Sequence, residues 1–327
     1  MSLDAIVIGA GWAGLSAADR LREAGRRVLV LEKARGPGGR SSTRRENGCR
    51  FDHGAQYFTA RGAAFGRKLQ QWRDAELVAP WRPRLALIGG HDGHHDPDAI
   101  SRYVAMPGMS GICKALAGDL KVRYRTRVKS LRHARLWQVM LDDGEVLEAP
   151  RLVLTAPPHQ AAELLGSADP LHPQLSQFEF SPCIAAMAAF DQSFDPGFDA
   201  AFVNLDSPLA WLARDSSKPG REGNTWVLHA GADWSASHLE EDFPVLARAM
   251  FEAFSKLVDQ NSGVRPPDPE LLIAHRWRYA QAPAPLDQIV LQDESRQLAI
   301  AGDWLAGNRV EGAWTSGTRA GDWLAEL

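Results

Sequence analysis

The feature of this sequence that most constrains its fold is the glycine-rich segment Gly9-Ala10-Gly11-Trp12-Ala13-Gly14. It follows an apolar run, Asp4–Ile8, which predicts a buried strand, and it opens Gly11–Ala24, whose apolar spacing predicts a helix. A second apolar run, Val28–Leu31, predicts another strand, and Glu32 follows it directly. This order of strand, glycine turn, helix, strand and acidic residue is typical of a dinucleotide-binding βαβ unit.

The chemistry of this segment limits the ligands that it can bind. Its glycines permit a tight turn, a close approach to pyrophosphate and close packing of helix on strand. The helix start presents free N–H groups and partial positive charge to phosphate. Glu32 can accept hydrogen bonds from a ribose diol and would repel a 2′-phosphate. The segment therefore predicts the ADP portion of NAD or FAD as ligand.

The sequence after Glu32 favours FAD over NAD. Gly38-Gly39-Arg40 comes soon after the second strand, where a glycine pair lets the backbone approach a second part of the ligand. Arg40 can meet a phosphate or a flavin edge. A second small-residue turn, Gly54-Ala55, lies within Phe51–Phe58 beside aromatic residues. An NAD dehydrogenase would instead continue from the second strand into another helix.

Composition excludes several classes of function. The chain has 327 residues and a net charge of −3, so nothing indicates a nucleic-acid surface. No apolar run reaches the length of a membrane span, and the N-terminal segment lacks the pattern of a signal peptide. Three separated cysteines without CxxC favour a reducing cytoplasm over a dithiol or zinc knuckle. The segment His91–Asp98 has two possible interpretations, a metal site or a solvated turn. Its Gly, Asp and Pro residues favour the turn, so no metal is expected.

The remaining pattern predicts an α/β fold in which a Rossmann-like FAD-binding domain holds an inserted α+β substrate domain. The predicted FAD-binding domain is discontinuous, 1–75 with 104–160 and 286–327, and the substrate domain is 76–103 with 161–285. Helices are predicted over Ala63–Asp74, Gly111–Ala117, Glu240–Val258 and a tail from Gly312, and strands over Leu85–Ile88, Val122–Leu131, Trp137–Leu141, Val146–Glu148, Leu152–Thr155 and Leu298–Ala301.

On these residues the chain resembles the flavin amine oxidase superfamily, with its glutathione-reductase type of FAD fold, and more narrowly the bacterial renalases. The resemblance extends from one end of the chain to the other. It rests on ARGPGGRSSTRR, FDHGAQYFTAR, WVLHAGADWS, HRWRYAQAP and the closing AGDW and RVEGAWTSG segments.

The resemblance implies where FAD is held. The implied contacts are Gly9, Gly11, Trp12, Ala13 and Gly14 at the pyrophosphate, Glu32 and Lys33 at the adenosine, Val128 at the adenine, Arg40, Gly54, Ala55 and Gln56 along the ribityl chain and flavin, Gly302 and Asp303 at the ribityl–phosphate region, and Val310, Glu311 and Gly312 at the flavin pyrimidine. A helix beginning at Gly312 would point its positive end at the part of the ring that gains negative charge on reduction.

Departures from the amine oxidases sharpen this expectation. Gly36 stands where many of them have an arginine. Some of them attach FAD covalently through a cysteine late in the chain, but no cysteine follows Cys183 here, so non-covalent FAD is expected. Many of them carry a lysine near the flavin shortly before the C-terminal motif, whereas the last lysine here is Lys256. A second GxGxxG is also missing, so a nicotinamide would enter the flavin cavity as a substrate.

The resemblance to renalases implies a reaction: 2- or 6-dihydro-NAD(P) is oxidised to NAD(P)⁺ by hydride transfer to FAD, and O₂ is reduced to H₂O₂. Tyr57, His229 and Trp277 are the candidate residues at the nicotinamide, with His275 and Arg278 as further candidates. A flavin-dependent oxidase of amines or amino acids is the alternative enzyme. A non-catalytic flavin- or NAD-binding sensor is the alternative of another class.

Overall fold

The computed structural model describes residues 2–89, 100–282 and 288–327. Both helices and strands are distributed along the chain. The helices are α1 (Trp12–Glu23), α2 (Ala63–Asp74), α3 (Gly111–Gly118), α4 (Pro158–Leu165), α5 (His172–Ser176), α6 (Ala232–Ser237), α7 (Phe243–Ser262) and α8 (Val310–Glu326). The strands are β1 (Ala5–Ile8), β2 (Val28–Leu31), β3 (Arg44–Glu46), β4 (Cys49–Phe51), β5 (Val78–Trp81), β6 (Leu85–Ile88), β7 (Arg102–Ala105), β8 (Lys121–Arg123), β9 (Val128–His133), β10 (Trp137–Leu141), β11 (Val146–Ala149), β12 (Arg151–Leu154), β13 (Ser181–Ala189), β14 (Ala200–Val203), β15 (Leu209–Arg214), β16 (Thr225–Ala230), β17 (Leu271–Gln281), β18 (Leu291–Asp293) and β19 (Leu298–Ile300).

A mainly parallel sheet in the order β18-β19-β12-β1-β2-β8 is built around the first strand. Both faces of β1 are buried because its residues are apolar in succession and the sheet is covered on both sides. Helices α1, α3 and α8 cover one face, and the three-stranded sheet β9–β11 with α4 covers the other. The predicted βαβ opening and α/β class are therefore confirmed.

The small residues of the C-terminal tail allow α8 to pack directly on α1. A Cβ on Gly317 would lie 2.0 Å from the carbonyl oxygen of Ala13, and one on Gly321 would lie 2.5 Å from that of Ala17. Only glycine permits the two backbones to approach so closely. This packing carries the last residues of the chain to the glycine turn at its start.

A second sheet, in the order β17-β13-β16-β15-β14-β6, lies beside the first. Helix α7 covers one of its faces with the apolar side chains of Met250, Phe251 and Phe254. The opposite face, called here the site face, carries His275, Ala185 and His229 side by side in cross-strand register, followed by Trp211. The segment Phe51–Phe58 lies against this face.

Several element bounds differ from the sequence-based expectation, among them those of β8 and β9, of α7 and of α8. The strand predicted over Val122–Leu131 is split into β8 and β9, because Arg125 adopts a left-handed φ of 53° and its amide bonds the carbonyl of Ala34. Helix α7 begins at Phe243 instead of Glu240, with Asp242 as N-cap and a proline in its first turn. Helix α8 begins at Val310, so Gly312 lies within its first turn.

The expectations about a metal site and a membrane span can be compared with the described residues only. The His91–Asp98 segment lies outside the described residues, and within them no group of three or more His, Cys, Asp or Glu side chains is arranged to hold a metal ion. No helix in the described ranges is long and apolar enough to cross a membrane. The division into two discontinuous domains, with the bounds given above, remains a proposal.

Candidate functional site

The glycine turn between β1 and α1 is closed on its inner side and open on its outer side. A Cβ on Gly14 would lie 1.9 Å from the carbonyl oxygen of Gly9, and Gly9 itself has a φ of 104°, so both positions need glycine. Nothing lies within 4 Å of a Cβ built on Gly11, the N-cap of α1. The helix start therefore has open space beside Gly11, and its free N–H groups are suited to a pyrophosphate bound there.

Glu32 lies at the end of β2, next to this turn, and is 8% exposed. Its carboxylate accepts hydrogen bonds from the amides of Ala10 at 2.8 Å and Ala34 at 2.7 Å. The backbone of Glu32 is bonded to Arg123 and Thr126, which places the start of β9 at Val128 nearby. The structure thus brings the predicted ribose and adenine residues together, and the carboxylate keeps lone pairs for a ribose diol.

Two other predicted cofactor residues have side chains that are already engaged. The Trp12 ring is buried, and its Nε1–H donates to Ser41 Oγ at 2.9 Å, so only its backbone is available to a phosphate. Lys33 Nζ donates to Gln160 Oε1 at 3.0 Å. Loss of solvation, followed by repulsion from Arg127, lowers the pKa of Lys33. Ala13, in the first turn of α1, is buried against α8, where its carbonyl lies next to Gly317.

Arg40 and Asp303, which lie 263 residues apart, form an ion pair at 2.5 Å. Arg40 also donates to the carbonyl of Ala280 at 3.0 Å. The amide of Gly302 donates to Ser316 Oγ on α8 at 3.0 Å, which ties the Asp303 segment to the last helix. Both residues predicted for the middle of the cofactor therefore converge, one from each end of the chain.

The first turn of α8 is the last predicted cofactor segment. A Cβ on Gly312 would lie 2.3 Å from the carbonyl oxygen of Ala306, so this position needs glycine. The Glu311 carboxylate accepts hydrogen bonds from the amides of Arg61 at 2.9 Å and Gly62 at 2.7 Å, at the start of α2. Glu311 therefore joins α8 to α2 through its side chain, and only its backbone, with that of Val310, remains for a cofactor.

The turn Gly54-Ala55-Gln56 lies between these cofactor segments and the site face. A Cβ on Gly54 would lie 1.9 Å from the carbonyl oxygen of Arg40 and 3.2 Å from Trp277 Cζ2. The amide of Ala55 donates to the same Arg40 carbonyl at 2.9 Å. The turn therefore links the predicted flavin-binding residues to the predicted substrate residues.

Three histidines and a tryptophan cluster where this turn meets the site face: His53, His229, His275 and Trp277, called here the imidazole cluster. The ring of His53 lies 4.8 Å from that of His275 and 4.9 Å from that of Trp277. The carbonyl oxygen of His53 accepts hydrogen bonds from Trp277 Nε1 at 3.0 Å and from His229 Nε2 at 3.1 Å. Because a carbonyl only accepts, His229 carries its proton on Nε2, and its Nδ1 is an acceptor.

The imidazole cluster is uncharged at neutral pH. Burial lowers the pKa of His53 to about 3, and the adjacent His275 adds repulsion. Burial likewise lowers the pKa of His229 and of His275 to about 4 each, with repulsion from Lys218 and Arg44 respectively. His229 is nevertheless partly exposed. The cluster offers hydrogen-bonding groups without charge.

Tyr57 lies farther along the same face. Its ring is 5.8 Å from that of Trp211 and 6.0 Å from that of Trp81, and the Arg102 guanidinium lies 5.4 Å from its centroid. Trp211, which is in register with His229, was missed by the sequence analysis, because an apolar strand with a tryptophan indicates core as readily as a cavity wall. Trp211 therefore connects Tyr57 to His229, and the His53 carbonyl connects His229 to Trp277.

Two other outcomes concern residues that spacing could not resolve. Arg278 lies on the opposite side of β17, exposed, where it pairs with Glu240 at 2.6 Å, so the structure does not place it with His275 and Trp277. Beneath the turn lies a buried ionic group of Asp52, Asp215, Lys218 and Arg221, which was not expected from the sequence. No local motif indicates this group, because Asp52 and Asp215 lie 163 residues apart.

The imidazole cluster predicts a pH dependence of stability. Folding favours the neutral rings, so below the ordinary pKa of 6.5 the unfolded chain takes up protons that the folded chain does not. The contribution of these histidines to the free energy of unfolding is therefore fully present above pH 6.5. It falls as the pH is lowered toward 4, by about 1.4 kcal/mol per pH unit for each histidine. Urea unfolding between pH 7 and pH 4.5 measures this slope.

A His53→Phe variant, which keeps a ring but binds no proton, should show a shallower slope over the same range. His172→Phe, on α5 outside the cluster, controls for the loss of one histidine. Equal slopes for wild type and His53→Phe would contradict the assignment of a proton-excluding site to His53.

Comparisons with known proteins give the family and the fold of this chain. Residues 7–71 match the family model of the NAD(P)-binding Rossmann-like domain, and residues 98–322 match that of the flavin containing amine oxidoreductases. Cyclohexylamine oxidase from Brevibacterium oxydans IH-35A superposes with a TM-score of 0.79 at 15% identity, covering 100% of this chain and 99% of that one. Putrescine oxidase bound to putrescine superposes with a TM-score of 0.75 at 13% identity, covering all of both chains. These likenesses confirm the predicted fold class.

Curated relatives are similar over shorter stretches. A 2-oxo-Delta(3)-4,5,5-trimethylcyclopentenylacetyl-CoA monooxygenase of Pseudomonas putida is 30% identical over 171 residues, which are 50% of this chain and 26% of the relative. A phytoene dehydrogenase of Streptomyces griseus is 37% identical over 106 residues, 30% of this chain and 21% of the relative. The chain thus spans about a quarter of the length of these two relatives. They share the class of oxidoreductase and differ in the reaction.

Proposed function

This chain belongs to the flavin containing amine oxidoreductase family, and we propose that it is a renalase-like oxidase of 2- or 6-dihydronicotinamide dinucleotides. Its cofactor is FAD, for which the open side of Gly11, the anchored Glu32 and the Arg40–Asp303 pair are suitable partners. When bound, FAD accepts a hydride from the substrate and passes two electrons to O₂, which takes up two protons to give H₂O₂. We further propose that FAD is held non-covalently and that the protein acts in the cytoplasm.

The observation that carries the proposal is that the described strand residues around His229 on the site face carry no charge. These neighbours of His229 are apolar, aromatic or imidazole, and they include Cys183, Ala185, Met187, Trp211, Val227, Ile273, His275 and Trp277. A neutral dihydropyridine becomes an aromatic cation when it loses a hydride, so the reaction needs no strong base. What it needs is a ring held in a fixed orientation.

The residues of the chain supply that orientation. His229 presents Nδ1 as an acceptor for an N–H of the nicotinamide carboxamide. Trp277 lies next to Gly54 beside the turn, and Tyr57 and Trp211 lie farther along the sheet. The space between these side chains, called here the slot, is where we place the nicotinamide ring. These side chains also exclude water from the ring, so the protein acts by positioning more than by proton transfer.

Oxidation of an amine is the second candidate, and the aromatic pair of Tyr57 and Trp211 favours it, because aromatic faces attract cations. The lysine found near the flavin in many amine oxidases has no counterpart among the described residues of the site face. Lys218 is fully buried behind the turn, bonded to Asp215 and Gln56, and it is not available to a substrate.

Anaerobic mixing of the yellow holoprotein with candidate reductants separates the two readings. We expect 2- or 6-dihydro-NAD to bleach the flavin absorbance within seconds. Ordinary 4-dihydro-NAD, cyclohexylamine and putrescine should leave it yellow over the same time. Admission of O₂ should then restore the colour and yield one H₂O₂ per substrate oxidised. Bleaching by the amines alone would overturn the proposal in favour of amine oxidation.

A further inference from the structure

Four charged side chains are buried in one group beneath the Gly54 turn. Lys218 Nζ lies 2.5 Å from Asp215 Oδ1, Arg221 Nη2 lies 2.5 Å from Asp52 Oδ2, and Lys218 Nζ lies 3.9 Å from Asp52 Oδ2. The side chains of the group are at most 1% exposed. Burial of an unpaired charge is costly, so two cations and two anions form a neutral set. The set is placed where it can act on the turn.

Lys218 also bonds a neutral group that belongs to the turn. Its Nζ donates to Gln56 Oε1 at 3.1 Å. The Gln56 Nε2 donates in turn to the carbonyl oxygens of Asp52 and of Gly54, the latter at 3.2 Å. An ammonium group has only donors, so it requires the amide oxygen on its own side. Lys218 therefore reinforces, from the oxygen side, the amide orientation that the carbonyls of Asp52 and Gly54 favour from the NH₂ side.

That orientation matters to His229. Gln56 Nε2 lies 3.5 Å from His229 Nε2, whose proton is given to the His53 carbonyl at 3.1 Å. An amide NH₂ cannot accept that proton, so His229 has a single acceptor in this direction. With the amide reversed, an oxygen would lie at the same 3.5 Å and would compete with His53 for the His229 N–H.

We propose that Lys218 is a positioning residue that acts through Gln56 to hold the His229 ring on the His53 carbonyl, leaving Nδ1 for the substrate. The inference rests on the proposed function in one respect only, namely that His229 meets the nicotinamide. The ammonium group of Lys218 does not reach the substrate. Its effect is transmitted by one amide and one imidazole.

The test is a Lys218→Met variant of the FAD-loaded protein, with Lys256→Met, an exposed lysine on α7, as control. Histidine ¹⁵N NMR of the oxidised protein should show His229 protonated on Nε2 in wild type and in Lys256→Met. In Lys218→Met the Gln56 oxygen loses its donor, so the His229 signals should shift or broaden as the amide becomes free to turn. Flavin reduction by dihydro-NAD should slow about tenfold, or about 1.4 kcal/mol, with less than a twofold change in KM.

Two further variants separate positioning from folding. Asp215→Asn with Lys218→Met removes one charge of each sign, so the buried group stays neutral, and it should show the same His229 change. In a Gln56→Leu background, which has no amide to reverse, Lys218→Met should add no further change in the signals or the rate. Additive effects in this cycle, or unaltered His229 signals in Lys218→Met, overturn the inference. Because the NMR signals need no substrate, failure of dihydro-NAD to reduce the flavin overturns only the proposed function.

Discussion

A Gly14→Ala variant is expected to lose both stability and FAD, whereas Gly11→Ala is expected to keep its fold and lose FAD. The added methyl group at Gly14 would lie 1.9 Å from the backbone oxygen of Gly9, which is fixed in the turn. Relief of that overlap costs about 3 kcal/mol. At Gly11 the methyl group would meet no protein atom within 4 Å, but it would stand where the pyrophosphate should bind. We expect at least a tenfold weaker affinity for FAD there, about 1.4 kcal/mol.

The measurements are the flavin-to-protein absorbance ratio after dialysis against a series of FAD concentrations and urea unfolding of the apoprotein. Gly66→Ala, within α2 and likewise without atoms near its Cβ, is the control and should change neither quantity by more than about 1 kcal/mol. A Gly11→Ala protein that binds FAD as tightly as wild type would remove the turn from the cofactor site.

A Trp277→Ala variant is expected to retain FAD and to be reduced about 100-fold more slowly by dihydro-NAD, about 3 kcal/mol in activation free energy. Trp277 packs within contact distance of Gly54, and its Nε1–H shares the His53 carbonyl with His229. Its removal widens the slot and takes away one of two hydrogen bonds that fix that carbonyl. The substrate ring would then sample orientations in which no hydride can transfer.

Stopped-flow absorbance measures this rate, and Trp277→Phe separates the two contributions because it keeps a ring and loses the N–H. We expect a smaller decrease for Trp277→Phe than for Trp277→Ala. Trp234→Ala, on α6 and stacked on His238 outside the cluster, controls for the loss of a tryptophan. A wild-type rate in Trp277→Ala would exclude this residue from the site, and a colourless protein would give it a structural role.

The cofactor half of the molecule was largely predictable because its signals are local. Gly9 to Gly14 and Glu32 carry the geometry of a turn, a helix start and a strand end within 24 residues. Such geometry depends on backbone conformation and on glycine itself, and both can be inferred from neighbours in sequence. The same reasoning failed where one alternating run, residues 122–131, passes through the left-handed residue Arg125 from one sheet to another, since periodicity does not show a change of sheet.

For the proposed substrate site, the sequence suggested residues but could not suggest their arrangement. His229 and Trp277 were expected near the ring, yet nothing in the sequence shows that both donate to the carbonyl of His53. Arg278 was a candidate by its proximity to Trp277, but adjacent residues of a strand alternate between faces, and its side chain is turned toward Glu240. Lys218 carries no motif at all.

The sequence by itself determined the class of this protein: a dinucleotide turn, a second glycine pair suited to FAD, and a C-terminal segment of small residues. Tertiary structure decided which groups meet. It paired Arg40 with Asp303, seated Gly317 against Ala13, and placed Lys218 behind Gln56. The physical reason is range. Backbone conformation is set over a few residues, whereas the charge, protonation and orientation of a side chain are set by partners that only the folded chain brings together.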